Sequence, residues 1–165
     1  MTEAVEPLLL ETRQFLTFIL ADEEYGVDIL RVQEIRGWVP VTRIPNSPGY
    51  MKGVLNLRGE IIPIIDLRMR FGLQSREYGA TTVVIVVWIN GPESEHCMGI
   101  VVDAVADTYD VSSDDIQPAP LIRNGIDPKF FEALATMNEK MVVLLDLDYL
   151  MNSDEQSCVD LDRLQ

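Results

Sequence analysis

One stretch of this sequence occurs twice, and that repeat limits the fold more than any other feature. Residues 47–71, moved along by 80 positions, fall on residues 127–151 without a gap. Pro48 meets Pro128, Tyr50-Met51 meets Phe130-Phe131, and Asp66-Leu67 meets Asp146-Leu147. Ile61-Ile62 meets Met141-Val142, and Ile64-Ile65 meets Leu144-Leu145. Upstream, Tyr25-Gly26-Val27 meets Met98-Gly99-Ile100 at a shift of 73, Val32 meets Val105, and Phe18-Ile19 meets Trp88-Ile89 at a shift of 70. Each copy has about 70 residues and four or five short strands, too little to bury a sheet face alone but enough to curl into a small closed barrel that hides its edges. The expected fold is mainly β: two small barrels on a shared hydrophobic core, with short helices and a C-terminal helix. The first barrel is expected over residues 15–80 and the second over 81–150, with strands open to exchange between them, a loose tail over 1–14 and a helix end or tail over 153–165.

Local signals fill in this frame. Phe15–Ala21 is an apolar strand, Asp22-Glu23-Glu24 a turn, and Tyr25, Val27 and Ile29 alternate as the next strand. Leu30 follows Ile29 and breaks the alternation, which fits a helical turn near Asp28–Val32. Ser47-Pro48 and Asp127-Pro128 pair an N-cap residue with a first-turn proline. Arg58-Gly59-Glu60 reads as a tight hairpin turn, and the strand Ile61–Ile65 tolerates Pro63 only at an edge or a bulge. Asp66 is placed to cap a short helix closed by Gly72, and Asp146 a helix with Leu147, Leu150 and Met151 on one face. Thr82–Ile89 and Cys97–Val102 are strands, Val105–Val111 continues the latter, and Asn90–His96 is a polar loop.

The repeat also separates structural from functional residues. Positions that the barrel needs should agree between copies, and positions that change chemistry are free for other work. Asn56-Leu57-Arg58-Gly59 lies opposite Thr136-Met137-Asn138-Glu139. Leu57 and Met137 are both apolar and belong to a core. Arg58 has no counterpart, so the barrel does not require it. Asp66 and Asp146 agree, which favours capping for both.

The chain has 13 Lys and Arg against 27 Asp and Glu, a net charge of −14. That argues against nucleic acid and against anionic lipid, which both select basic surfaces. One histidine, His96, and two cysteines, Cys97 and Cys158, cannot build a His-rich metal site, and neither a metal nor a cofactor is expected. Both cysteines are expected as free thiols. The longest apolar run, Val83–Ile89, is a buried strand and too short to insert into a membrane. Residues 1–13 carry acids and a proline where a signal peptide would be basic and then apolar, so a cytoplasmic protein is expected. Eight basic residues lie within 31–76 with three acids. This is either a mosaic surface or a basic recognition face on an acidic body.

Two stretches carry a resemblance: Asp22-Glu23-Glu24-Tyr25-Gly26-Val27-Asp28-Ile29-Leu30-Arg31-Val32-Gln33-Glu34-Ile35-Arg36-Gly37 and Gly53-Val54-Leu55-Asn56-Leu57-Arg58-Gly59-Glu60-Ile61-Ile62-Pro63-Ile64-Ile65-Asp66-Leu67. Together with Gly99-Ile100-Val101-Val102-Asp103 and Val143-Leu144-Leu145-Asp146, they resemble the CheW-like domain family of chemotaxis coupling proteins, over residues 15–152. The resemblance implies two SH3-like barrels and no catalysis. It implies an adaptor that bridges the cytoplasmic tips of chemoreceptors and the regulatory domain of the histidine kinase CheA, in the cytoplasm at receptor arrays. The site residues that it carries over are Arg58 in a receptor-binding groove, Val32 and Glu34 on the same side, and Asn56 and Gly59 completing the motif.

Three alternatives stand beside it. The same domain can serve as a scaffold in another two-component sensory pathway. An enzyme would have to use carboxylates such as Asp103 and Asp107, which have no acid/base partner in the sequence. An oligonucleotide-binding barrel is opposed by the charge and by the lack of an aromatic-basic strand face.

Overall fold

The structure is a computed structural model that describes residues 12–91, 94–119 and 126–152. Residues 1–11 and 153–165, including Cys158, lie outside the described residues, as do Pro92 and Glu93. Eleven strands form two sheets in what is described. The strands are β1 (Thr12–Leu20), β2 (Glu23–Asp28), β3 (Val32–Gly37), β4 (Met51–Leu57), β5 (Glu60–Asp66), β6 (Val83–Asn90), β7 (Glu95–Val102), β8 (Ala104–Ser112), β9 (Ile116–Pro118), β10 (Phe131–Met137) and β11 (Lys140–Leu145). Helix α1 (Leu67–Arg70) follows β5, and α2 (Leu147–Asn152) follows β11.

One sheet has the order β8-β1-β2-β11-β10-β9 and the other β3-β6-β7-β5-β4. The chain changes sheet at Ile29–Arg31 and again at Asp103, not near residue 80. Each sheet therefore takes the opening hairpin of one repeat and the later strands of the other. The reason lies in the pairing. β1 is antiparallel to β8 and β6 to β3, while β2 runs parallel to β11 and β7 parallel to β5. The crossings match residue for residue: Leu144 lies beside Gly26, and its repeat mate Ile64 beside Gly99.

Three apolar clusters result. Phe15, Val111, Ala135, Met137, Val142 and Leu144 fill the first barrel, the one formed by the sheet β8-β1-β2-β11-β10-β9. Leu57, Ile62, Ile64, Val84, Val86 and Cys97 fill the second. Phe18, Tyr25, Val27, Ile85, Ile100, Phe71, Leu147 and Leu150 belong to the larger core shared by both sheets and both helices. The matched pairs Leu57/Met137, Ile62/Val142 and Ile64/Leu144 occupy equivalent places, as the repeat requires.

Several local expectations hold. Asp28 accepts the Leu30 amide and caps a 3₁₀ turn over Ile29–Arg31. Asp66 accepts the Met69 amide at 3.2 Å and Asp146 the Tyr149 amide at 3.0 Å, so both cap the helices that follow them. Pro63 stands one residue before the β5–β7 ladder begins at Ile64, where its missing N–H leaves no bond unmade.

Others are corrected. Ser47-Pro48 starts no helix, because β4 begins at Met51 and leaves room for a turn only; the Ser47 hydroxyl donates to the Ile44 carbonyl instead. β1 begins at Thr12, since Thr12–Gln14 pair with Asp110–Ser112. The loop after β6 is shorter than Asn90–His96, and His96 belongs to β7 opposite Ile89. Val105–Val111 does not continue β7, because Asp103 turns the chain into the other sheet.

Candidate functional site

The hairpin β4–β5 ends in a two-residue loop, because Leu57 pairs with Glu60 across it. Arg58 has φ +53° and Gly59 φ +90°. Positive φ at both central residues gives the turn that matches the twist of paired strands, and it favours Asn-Gly. The Asn56 side-chain oxygen accepts the Gly59 amide at 2.9 Å and fastens the loop. In the other repeat, Asn138 (φ +49°) and Glu139 (φ +70°) make the same loop. Asparagine tolerates this conformation, whereas a long side chain there is disfavoured by about 1 kcal/mol. Arg58 thus stands where backbone chemistry prefers another residue, which directs attention to its side chain.

That side chain is 68% exposed, and its Nη2 donates to Glu34 Oε1 at 2.6 Å. The other Glu34 oxygen faces Arg36 Nη1 at 3.4 Å. An ion pair for Arg58 with its neighbour Glu60 is the simple local alternative; the partner is Glu34, 24 residues away in sequence, brought there by the curl of the sheet. Gln33 accepts from the Cys97 thiol near this end of the barrel, at 2.5 Å. Burial raises the Cys97 thiol above its ordinary range, and the Glu60 carboxylate raises it further, so both disfavour the reactive thiolate.

Val32 and Glu34 do not share a side. A bulge between them sets Val32 opposite Val87, on the shared-core face, and Glu34 opposite Val86, on the barrel face. Val32 packs against the shared core, half-buried. The structure therefore brings together Arg58, Glu34, Asn56 and Gly59, adds Arg36, and turns Val32 away.

Asp103, one of the two acids weighed as catalytic groups, is a clamp. Arg68 on α1 donates to Asp103 through Nε at 2.9 Å and Nη2 at 2.8 Å, and the Ala21 amide donates to Asp103 at 2.9 Å. Burial alone would raise the Asp103 carboxyl, but the bonds from Arg68 and Ala21 prevail and hold it below the usual carboxylate range. The repeat-related corner inverts these roles: Asp148 on α2 accepts both Arg31 nitrogens, at 2.8 and 2.7 Å, and the Asn90 amide at 2.9 Å. The bond from Arg31 leads in holding Asp148 low. A carboxylate locked in this way is poorly suited to accept a proton near pH 7. The Asp107 oxygen accepts the Thr108 amide.

The basic segment is a mosaic. Arg31 is bound to Asp148, Arg68 and Arg76 to Asp103, and Arg36 and Arg58 to Glu34. Arg70 lies over the Tyr50 and Phe130 rings, and Lys52 over Tyr78. Among the described residues, no three His, Cys, Asp or Glu side chains are grouped to hold a metal ion, and no helix is long and apolar enough to cross a membrane.

A family model described as the CheW-like domain matches residues 14–155. The chain belongs to the CheW-like family. It is 45% identical over 148 residues to the chemotaxis protein CheW of Klebsiella aerogenes, covering 90% of this chain and 87% of that one. It is 36% identical over 156 residues to the chemotaxis protein CheW of Rhizobium meliloti, covering 94% and 98%. The crystal structure of the scaffolding protein TtCheW from Thermoanaerobacter tengcongensis matches with a TM-score of 0.78 at 36% identity, covering 85% of this chain and 92% of that one.

In this CheW-like domain the sequence reading missed one surface. Leu30 is 82% exposed on the 3₁₀ turn and, with Arg31, Trp88, Asn90 and Glu95, lines a shallow depression. The broken alternation at Ile29-Leu30 was its trace in the sequence. A strand that keeps alternating has no place for two adjacent large apolar residues unless one faces outward.

Proposed function

We propose that this chain is a non-catalytic adaptor of bacterial chemotaxis, cytoplasmic and recruited to receptor arrays at the inner face of the membrane. It couples the cytoplasmic tips of chemoreceptors to the regulatory domain of the histidine kinase CheA. Membership of the CheW-like family supports this reading. One observation carries the site: Arg58 occupies a turn position that disfavours it, while the equivalent Asn138 satisfies the same turn. The selected property is then the guanidinium, a rigid fork of donors held at the open end of the second barrel beside Glu34. Receptor contact is assigned to Arg58 and Glu34, with Asn56 and Gly59 presenting them. Val32 supports the β3 strand from its core side.

An adaptor needs a second face. Leu30 and Trp88 supply an exposed apolar one, suited to the CheA regulatory domain. Separate titrations test both faces. Arg58→Ala should weaken binding to a receptor cytoplasmic fragment about tenfold or more and change CheA binding little. Leu30→Ser should do the reverse, by about tenfold, the value of burying one leucine. Equal losses for both partners from either variant would sink the two-face reading. Turnover in a hydrolase panel would sink the non-catalytic one.

A further inference from the structure

The Glu34 carboxylate is shared. Oε1 holds Arg58 at 2.6 Å, and Oε2 faces Arg36 at 3.4 Å, longer than the 2.7–2.9 Å usual for a charge-assisted bond. Arg36 Nε is buried and has no hydrogen-bond partner among the described residues. Arg36 therefore holds Glu34 only through the long Nη1 bond and keeps one donor, Nε, unused beside it. The two arginines differ in freedom: the Arg58 side chain is 68% exposed and Arg36 35%, while Glu34 is 24% exposed. A half-buried carboxylate that lost its close partner with no replacement would hold that partner back.

We propose that Glu34 exchanges ion-pair partners on binding: a carboxylate of the docking partner takes Arg58, and Glu34 closes onto Arg36. The cluster of two arginines and one glutamate carries one net positive charge, which one incoming carboxylate neutralises. Arg36 is then a positioning residue. It touches no partner atom, but it receives Glu34 and so releases Arg58. The partner is specified as a protein surface presenting an acidic side chain. This rests on the reading of Arg58 as the receptor contact.

The test is a double-mutant cycle in titrations against a receptor cytoplasmic fragment, with parent, Arg58→Ala, Arg36→Ala, Glu34→Gln and the double variant Arg36→Ala/Glu34→Gln. Thermal melts establish that each is folded. Arg36→Ala should weaken binding about threefold or more, because Glu34 keeps Arg58; coupling of this size is usual within one ionic network. In the Glu34→Gln background the same change should alter binding by less than about twofold, since there is no carboxylate left to receive. Arg36→Lys, which keeps a cation there, should restore at least half of the loss. Parent-like binding by Arg36→Ala, or a loss that persists undiminished beside Glu34→Gln, overturns the exchange while Arg58→Ala still reports the contact. Parent-like binding by Arg58→Ala overturns the contact itself, and the exchange with it.

Discussion

Replacing Arg58 by asparagine should move stability and binding in opposite directions. The turn holds Arg58 at φ +53° and Gly59 at φ +90°. Asparagine there creates the Asn-Gly pair that this loop favours, relieving most of a conformational penalty of about 1 kcal/mol. The loss is the pair with Glu34, whose arginine is 68% exposed; such a pair is worth about 0–1 kcal/mol after solvent screening. The two nearly cancel, with a small gain the expected balance. For a domain of this length 1 kcal/mol moves the melting temperature by about 2–4 °C, so Arg58→Asn should melt between parent-like and about 3 °C higher. Receptor binding should fall by about tenfold or more, because asparagine cannot reach where the guanidinium stood. Differential scanning fluorimetry and a binding titration on one preparation measure both. A variant several degrees less stable would refute the argument, since Arg58 would then hold the hairpin together. A variant that is stable and binds like the parent would refute the functional half.

The paired glycines should be unequal: a Cβ on Gly99 would meet Ile64 Cδ1 at 2.6 Å and Val84 Cγ1 at 2.8 Å, whereas on Gly26 the closest atom is Leu144 Cδ2 at 3.0 Å. Gly99→Ala should therefore lose about 1–3 kcal/mol in urea unfolding and Gly26→Ala distinctly less, and the reverse order would contradict the packing. The clamps should make the protein acid-sensitive. Asp103 and Asp148 titrate below their ordinary value of 3.8 when folded, so their contribution is present above that pH and is lost as pH falls through the folded value. Asp103→Asn should cost about 2 kcal/mol at pH 7, with the gap to the parent closing below about pH 3.8; a gap independent of pH would show that the charge is not what matters.

Much of the fold was legible because its signals are local or periodic. The caps at Asp66, Asp127 and Asp146 depend on a side chain reaching an amide two or three residues ahead, and they form as expected. The apolar pairs matched between repeats lie in equivalent cores, since alternation in a strand decides which face is buried. The contrast of Arg58 with Asn138 was also visible, because a repeat carries its own control.

What the sequence by itself determined was a pair of like β units, their capped helices and one arginine that neither unit needed. Only the tertiary structure decided how the units join. Exchange of the opening hairpins depends on β1 meeting β8 and β6 meeting β3, and strand pairing at such separations leaves no periodic mark along the chain. The same holds for Glu34 as the partner of Arg58, for Val32 being turned away by a single bulged residue, and for the Asp103 and Asp148 corners with their charges inverted. Each depends on where distant backbone comes to rest, and a one-residue change of register redirects every side chain that follows.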